Sequence, residues 1–138
     1  MGNLCLVCGK ILRGRSQKEY CSNTCQSEKR FSIYIEEWRK GKQDGGMGVS
    51  SRSISRHVRR YLLEKYGRCQ LCGWNKRNPI TKKLVLEIDH IDGNSENNKE
   101  NNLRLLCPNC HALTGNFKNL NRGKGRVWRK NKYKKNSI

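Results

Sequence analysis

The sequence predicts a small α+β fold in which two four-cysteine metal sites take the place of a large core. Three observations support this prediction. The chain has 138 residues and a hydrophobic content of 34%, enough for one or two small domains but not for one large core. Its eight cysteines fall into four short pairs. Segments of helical periodicity precede a segment in which apolar and polar residues alternate.

Residues 1–41 are predicted to form a zinc ribbon followed by a helix. The first two cysteine pairs are separated by a basic loop, a spacing that suits one tetrahedral zinc ion. The four predicted ligands are Cys5, Cys8, Cys21 and Cys25. The helix should run to about Lys40, with Gly41 as its stop.

An apolar stripe lies on this first helix. Phe31, Ile35 and Trp38 fall at i, i+4 and i+7. We expect the stripe to pack onto the ribbon. Four glycines then occur between Gly41 and Gly48, so residues 42–49 are predicted to be a linker that acts as a hinge between modules.

A second, basic helix is predicted to begin at Ser50 or Ser51 and to end at Gly67. Its apolar face comprises Ile54, Val58, Tyr61, Leu62 and Tyr66. Its arginines, which lie mostly off that face, are Arg52, Arg56, Arg59 and Arg60. Arginines without interleaved glutamates favour phosphate contact over a merely solvated face, so we expect them to bind DNA.

The region from Cys69 to about Asn121 is predicted to fold as strand, loop, strand and helix. Alternation from Leu84 to Ile88 indicates a strand that ends at Asp89-His90. Residues 103–106 (LRLL) indicate a second strand. Pro108 suits the first position of a helix. With the basic helix, this region forms a predicted domain at 50–121.

Four further cysteines bracket this unit and are predicted to bind a second structural zinc ion. They are Cys69, Cys72, Cys107 and Cys110. Disulfides are the competing use, and they would be expected in a secreted protein. No signal-peptide pattern follows Met1, and no apolar run approaches the roughly 20 residues of a membrane span. We therefore expect zinc, an intracellular protein and no membrane partner.

The formal net charge of +19 predicts a polyanionic partner. Two zinc-tetrathiolate sites would lower it only to about +15. Basic residues also dominate a tail at 122–138, where phosphate contacts are predicted for Arg122, Lys124, Arg126 and Arg129. A tail that merely aids solubility is the alternative.

Asp89, His90 and His111 are left over once the cysteines are assigned. A carboxylate and an imidazole can hold a divalent ion such as magnesium or manganese. A second imidazole, kept off the metal, can act as a general base. Phosphodiester cleavage needs these groups, and a basic protein is suited to gather phosphodiesters.

The ordered set LEIDHIDGN, Asn102-Leu103 and LCPNCHALT resembles the HNH endonuclease family, also called the ββα-metal fold. The resemblance covers residues 68–121 and fits the zinc-stapled branch of the family. The N-terminal segment bears a weaker likeness to zinc ribbons that precede such domains in phage and mobile-element nucleases. Homing, restriction and packaging enzymes share this type of active site.

The resemblance implies a role for each site residue. His90 would be the general base, and Asn102 would fix the loop that orients it. Asp89 and His111 would hold magnesium or manganese. Many relatives place a further ligand where this chain has Gly115.

Asn116 is the candidate substitute for that missing ligand, with water or a DNA phosphate as alternatives. The implied function is a metal-dependent endonuclease that nicks or cuts double-stranded DNA. The rival reading is a non-catalytic zinc-ribbon protein that binds nucleic acid. It explains the charge and the cysteines, but not the order of Asp89, His90, Asn102 and His111. No sequence feature fixes an oligomeric state.

Overall fold

The computed structural model describes residues 2–47 and 53–121. The described chain contains three helices and two strands: α1 (Asn23–Arg39), α2 (Arg56–Tyr66), β1 (Glu87–His90), β2 (Leu103–Leu106) and α3 (Pro108–Ala112). Single 3₁₀ turns lie at Glu100–Asn102 and Lys118–Asn121. The predicted small α+β fold is confirmed. Within these described residues no helix is long and apolar enough to cross a bilayer.

The C-terminal half forms a ββα unit. Strands β1 and β2 pair antiparallel, with Asp89 opposite Arg104 and His90 opposite Leu103. Helix α3 contacts both strands. The predicted order of strand, loop, strand and helix is confirmed, although β1 is shorter than the alternation suggested. Leu84 pairs instead with Arg77 in an isolated bridge before β1.

Helix α1 begins and ends where the sequence indicated. The Ser22 hydroxyl caps it by accepting a hydrogen bond from the Cys25 N–H at 3.2 Å. The chain leaves the helix through Gly41, whose φ of 77° is accessible to glycine at little cost.

The stripe of α1 was predicted to pack onto the ribbon, but it packs into the core of the C-terminal half instead. Ile35 and Trp38 are buried among residues of α2 and both strands. The buried members of this single cluster are Ile35, Trp38, Val58, Leu62, Cys69, Leu86, Leu103, Leu105, Leu106 and Cys107. A helix that shares a core with the following domain cannot swing freely beside it.

The expectation of a hinge is wrong for the described part of the glycine-rich segment. Gly45 is buried, and a Cβ placed on it would lie 2.8 Å from Trp38 Nε1 and 2.9 Å from Asn98 Cβ. The Gly45 carbonyl also accepts a hydrogen bond from the Ser55 N–H. Gly45 therefore permits close packing of this segment against Trp38 and Asn98.

Helix α2 begins later than predicted. Its N-cap is Ser55, whose hydroxyl accepts from the His57 N–H, whereas the predicted caps Ser50 and Ser51 lie outside the described residues. The sequence offers several serines, and burial of Ser55 against the glycine-rich segment selects this one. The end at Gly67, which is left-handed with φ of 59°, is as predicted.

Glu100 joins the turn before β2 to both long helices. Its carboxylate accepts hydrogen bonds from Arg39 at 2.9 Å, Tyr61 at 2.6 Å and Lys65 at 2.7 Å. Burial alone would raise the pKa of Glu100, but the hydrogen bonds from Lys65, Tyr61 and Arg39 outweigh it and lower that pKa to about 2.

Replacing Glu100 by glutamine should lower the free energy of unfolding by about 2 kcal/mol, since the amide keeps the shape but loses charge-assisted hydrogen bonds. In the unfolded chain the glutamate has a pKa of about 4.3. Because the folded pKa is lower, Glu100 contributes its full stabilisation at any pH well above about 4.3, and this contribution is lost as the pH falls toward 2. The difference in the free energy of unfolding between the wild type and Glu100→Gln, measured by urea denaturation, should therefore be the same at pH 6 and pH 8. Exposed Glu19→Gln is the control, and an equal loss there would contradict the assignment.

Candidate active site

A small cavity lies where the end of β1 faces α3. Its volume is about 100 Å³, which is room for a metal ion and a few water molecules. The residues that line it are Ile88, Asp89, His90, Gly93, Ser95, His111 and Asn116. The cavity therefore brings together Asp89, His90 and His111, which the sequence had singled out.

Asp89 is buried beside the cavity, with 6% of its surface exposed. One carboxylate oxygen, Oδ2, accepts a hydrogen bond from Arg104 Nε at 2.7 Å across the two strands. This contact partly offsets the cost of burying the carboxylate. It also fixes the side chain so that Oδ1 is left to face His111.

His111 is held between two carboxylates. Its Nδ1 makes a very close hydrogen bond with Glu87 Oε2, and its Nε2 lies 3.8 Å from Asp89 Oδ1. The ring also meets Phe117 edge-on, with centroids 5.3 Å apart. In a neutral imidazole, an Nδ1–H donated to Glu87 leaves the Nε2 lone pair directed at Asp89.

Asp89 and His111 fit the ligand pair of one divalent ion. Two atoms that each lie about 2.1 Å from a magnesium-sized ion are at most about 4.2 Å apart, and the observed separation is 3.8 Å. The Ser95 hydroxyl beside them is the one buried side-chain N or O atom, among the described residues, that lacks a hydrogen-bond partner. Such a group favours an ion or water in the cavity, because an unpaired buried hydroxyl is unfavourable.

His90 lines the same cavity at the end of β1. Its Nε2 lies 2.8 Å from Oδ1 of Asn98, a buried residue in the loop between the strands. The other ring nitrogen, Nδ1, is not engaged by this contact. This arrangement is compatible with the general-base role predicted for His90.

Asn102 organises the loop between the strands. Its Oδ1 accepts from the Asp92 N–H at 3.0 Å, and its Nδ2 donates to Asp92 Oδ1 and to the Asn97 carbonyl. Burial would raise the pKa of Asp92, but hydrogen bonds from Asn97, the Asn94 N–H and Asn102 hold it below its ordinary value. These contacts match the loop-fixing role that the resemblance implies for Asn102, which stays a prediction.

Asn116 reaches the cavity from the turn after α3. Its Nδ2 donates to the Ile91 carbonyl at 3.2 Å. Gly115 is exposed, and a Cβ there would meet nothing within 4 Å. The predicted role of Asn116 as a further metal ligand stays a prediction.

The HNH endonuclease family matches residues 69–117, the stretch that contains this cavity. The match covers the ββα unit and the second group of four cysteines. The chain is also similar to a protein named H-N-H endonuclease F-TflIV from Escherichia phage T5, with 41% identity over 69 residues. That similarity covers 50% of this chain but only 29% of the phage protein. No solved structure shows a significant match.

A four-cysteine cluster ties the ends of the HNH unit together. The sulfurs of Cys69, Cys72, Cys107 and Cys110 lie within 4.8 Å of one another, and Cys72 and Cys107 are 3.7 Å apart. The edge of a tetrahedron with zinc–sulfur bonds of about 2.3 Å is about 3.8 Å. The cysteines are free thiols rather than disulfides, so the predicted grouping is confirmed.

The N-terminal cysteines form a second cluster ahead of the HNH domain. Cys21 lies 3.5 Å from Cys8 and 3.6 Å from Cys25, and Cys5 completes the group. The backbone N–H of Cys8, then that of Val7, lowers the pKa of the Cys5 thiol to about 6. Thiolates are the form that binds metal, so this thiol is prepared for an ion.

The basic residues predicted to contact DNA fall into three groups. Arg60 has another role: its guanidinium binds Glu28 and Glu64 and covers the ring of Phe31, which joins α1 to α2. Arg59 lines a groove, and Arg56 is exposed on the same helix. Those outside the described residues are Arg52, Arg122, Lys124, Arg126 and Arg129.

The groove beside Arg59 contains cations that the sequence analysis did not select. Arg77, Lys82 and Lys83 come from the turn before β1 and line the groove with Arg59. Their grouping depends on the fold of that turn, where Asn78 Oδ1 accepts from the N–H groups of two following residues. The groove thus places Arg59, Arg77, Lys82 and Lys83 beside the Arg60–Glu64 ion pair at one edge of the HNH domain.

Glu87 is a site residue that the sequence analysis missed. It shares a strand face with Asp89, because side chains two residues apart point the same way. Glu87→Gln should lower cleavage activity by roughly 10- to 100-fold and raise the metal concentration required, because a weaker acceptor orients His111 less well. The measurement is plasmid cleavage across a manganese titration. Exposed Glu19→Gln is the control, and equal behaviour of the two variants would contradict the proposed contact.

Proposed function

We propose that the protein is a metal-dependent HNH endonuclease that hydrolyses phosphodiester bonds in double-stranded DNA. The observation that carries this proposal is the 3.8 Å approach of Asp89 Oδ1 to His111 Nε2 in a cavity that His90 also lines. A purely structural zinc module has no need of this arrangement. The match of residues 69–117 to the family supports the same reading.

Two kinds of metal site are proposed. The two cysteine clusters would hold structural zinc, as their sulfur spacing and all-thiolate ligands favour. Free thiolates of this kind also suit a reducing, intracellular setting. Asp89 and His111 would hold magnesium or manganese, which prefer oxygen and imidazole ligands. That ion would stabilise the charge that develops on the scissile phosphate.

His90 is proposed to activate the attacking water. Its Nε2 is engaged by Asn98, so Nδ1 would accept the proton of a water in the cavity. Arg104 donates a hydrogen bond to Asp89 Oδ2 and so holds the carboxylate in one orientation at the wall of the cavity. Asn102 would hold in place the loop that carries Asn98, the hydrogen-bond partner of His90.

DNA is proposed to be held mainly through its phosphates. The groove with Arg59, Arg77, Lys82 and Lys83 supports this role in the structure. Exposed Arg56 and the basic segment at 122–138 would extend the contact. Such contacts give affinity without sequence preference, and binding should weaken steeply with salt. A slope near zero in a plot of the logarithm of the DNA-binding constant against the logarithm of the salt concentration would contradict this part of the proposal.

The test is incubation of supercoiled plasmid with zinc-loaded protein, with and without magnesium or manganese, for the wild type and His90→Ala. The proposal expects nicked or linear product with the wild type and the divalent ion only. The non-catalytic rival expects DNA binding that is indifferent to magnesium, with no product under any condition. Linear product at the earliest times would indicate double-strand cutting, and nicked product a nickase.

A further inference from the structure

The loop between the strands places Asn98 directly against His90. Asn98 is 8% exposed, and its side-chain Oδ1 lies 2.8 Å from His90 Nε2. An amide oxygen can only accept a hydrogen bond, so the ring nitrogen that faces it must donate. A neutral His90 held this way carries its proton on Nε2 and has its lone pair on Nδ1.

Asn98 is itself held by the N-terminal half of the chain. Its backbone carbonyl accepts a hydrogen bond from the indole N–H of Trp38 at 2.8 Å, and this contact is buried. Trp38 is 4% exposed and lies near the end of α1, which begins beside the first cysteine cluster. This buried hydrogen bond links that helix to the loop that carries Asn98, in addition to the exposed contact of Arg39 with Glu100.

Gly45 lies directly against both Trp38 and Asn98. A Cβ at this position would come within 2.8 Å of Trp38 Nε1 and 2.9 Å of Asn98 Cβ, distances at which an atom must shift. Gly45 also has a φ of 76°, which side chains disfavour. The close approach of three elements at this point leaves the Asn98 backbone little freedom.

We propose that Asn98 and Trp38 are positioning residues for the general base. Asn98 fixes the tautomer and direction of the His90 ring, and Trp38 fixes Asn98. On this view the N-terminal helix supports the active site through Trp38 and Asn98. The proposal rests on the proposed nuclease function for its kinetic consequences, but not for the hydrogen bonds themselves.

The first test compares two substitutions of similar size, Asn98→Leu and Asn98→Asp. Leucine removes the acceptor, whereas aspartate keeps an oxygen at that position. We expect Asn98→Leu to lower kcat about 100-fold with little change in KM, and Asn98→Asp to retain substantially more of kcat. Equal kcat for Asn98→Leu and the wild type would overturn the proposal. Equal losses in both variants would also overturn it, because they would indicate mere disturbance of the loop.

The second test addresses Trp38 with a matched tryptophan. Trp38→Phe keeps a ring in the core but loses the donor to Asn98, whereas Trp74→Phe changes a partly buried tryptophan outside the cavity. We expect several-fold lower kcat for Trp38→Phe and an unchanged kcat for Trp74→Phe, at equal zinc content. The same kcat for both variants would remove Trp38 from the proposal.

The third test needs no activity and separates this inference from the nuclease function. Nitrogen-15 NMR of the zinc-loaded protein reports which ring nitrogen of each of its three histidines carries the proton. We expect the Nε2–H form for neutral His90 in the wild type and a mixture of tautomers in Asn98→Leu. The Nδ1–H form in the wild type would overturn the proposal even if the protein cuts DNA. The Nε2–H form in a protein that cuts no DNA would keep the hydrogen bond and reject the nuclease.

Discussion

Replacing His90 by alanine should lower the rate of DNA cleavage by about 10³-fold while leaving DNA binding and zinc content unchanged. General-base catalysis contributes about 10²- to 10⁴-fold in enzymes, and the proposed base is the His90 Nδ1. The ring is partly exposed at the cavity wall, so its loss should cost the fold little. The groove that is proposed to bind phosphate lies on other residues.

The prediction is measured by single-turnover cleavage of a supercoiled plasmid at saturating protein and manganese. His57→Ala is a matched control, since His57 packs against Phe31 and Tyr34 between α1 and α2 and lies outside the cavity. Added imidazole should restore part of the rate to His90→Ala. An unchanged rate in His90→Ala would assign the proton transfer to another group.

The ββα unit could be predicted because its signals are local. The short apolar run of β2, Pro108 at the first turn of α3 and the cysteine spacings each act over a few residues. The same holds for the end of α2 at Gly67, where the left-handed conformation favours glycine. Local signals were thus enough to predict the strand that carries Asp89 and His90 and the helix that carries His111.

The residues around that cavity could not be predicted, because their roles depend on register and on contacts distant in sequence. Arg104 faces Asp89 only once the strands are paired. Trp38 and Asn98 are sixty positions apart. Glycine-rich composition indicated a hinge, but it cannot distinguish freedom from close packing, as Gly45 shows.

Arg60 shows the same limit for charge. The sequence does not distinguish the arginines of α2 from one another. In the structure, however, Arg60 donates two hydrogen bonds to the carboxylate of Glu28 on α1. Composition therefore gives the sign of the field around the protein but not which cations remain to meet a phosphate.

Loss of the second cysteine cluster should abolish both cooperative folding of the HNH domain and cleavage. Helix α3 has only five residues, whereas isolated helices shorter than about 12 residues are marginal in water. The Cys107 sulfur caps it by accepting from the Cys110 N–H at 3.4 Å. Cys69 and Cys107 also belong to the buried core. Structural zinc contributes about 10–16 kcal/mol in zinc-finger peptides, which exceeds or equals the usual net stability of a domain.

Protons compete with the metal ion for the Cys110 sulfur. The neighbouring thiol of Cys72, followed by that of Cys107, raises the pKa of Cys110 to about 12 in the metal-free protein. Without an ion, Cys110 therefore retains its proton, and the cluster lacks the bonds that join α3 to the start of the domain. His111 on α3 would then move away from Asp89, and the proposed catalytic site would be lost with the fold.

The two clusters offer a matched pair of variants, Cys72→Ser and Cys8→Ser, since each changes the exposed second cysteine of a CxxC pair. Cys72→Ser should lose cooperative thermal unfolding and all cleavage. Cys8→Ser should keep both, because α1 has 17 residues and stays docked in the core through Ile35 and Trp38. Zinc content, near-ultraviolet circular dichroism and plasmid cleavage measure the outcome. If both variants unfold alike, the N-terminal cluster is as essential to the core as the second one. If Cys72→Ser still cuts, the position of His111 does not depend on the metal.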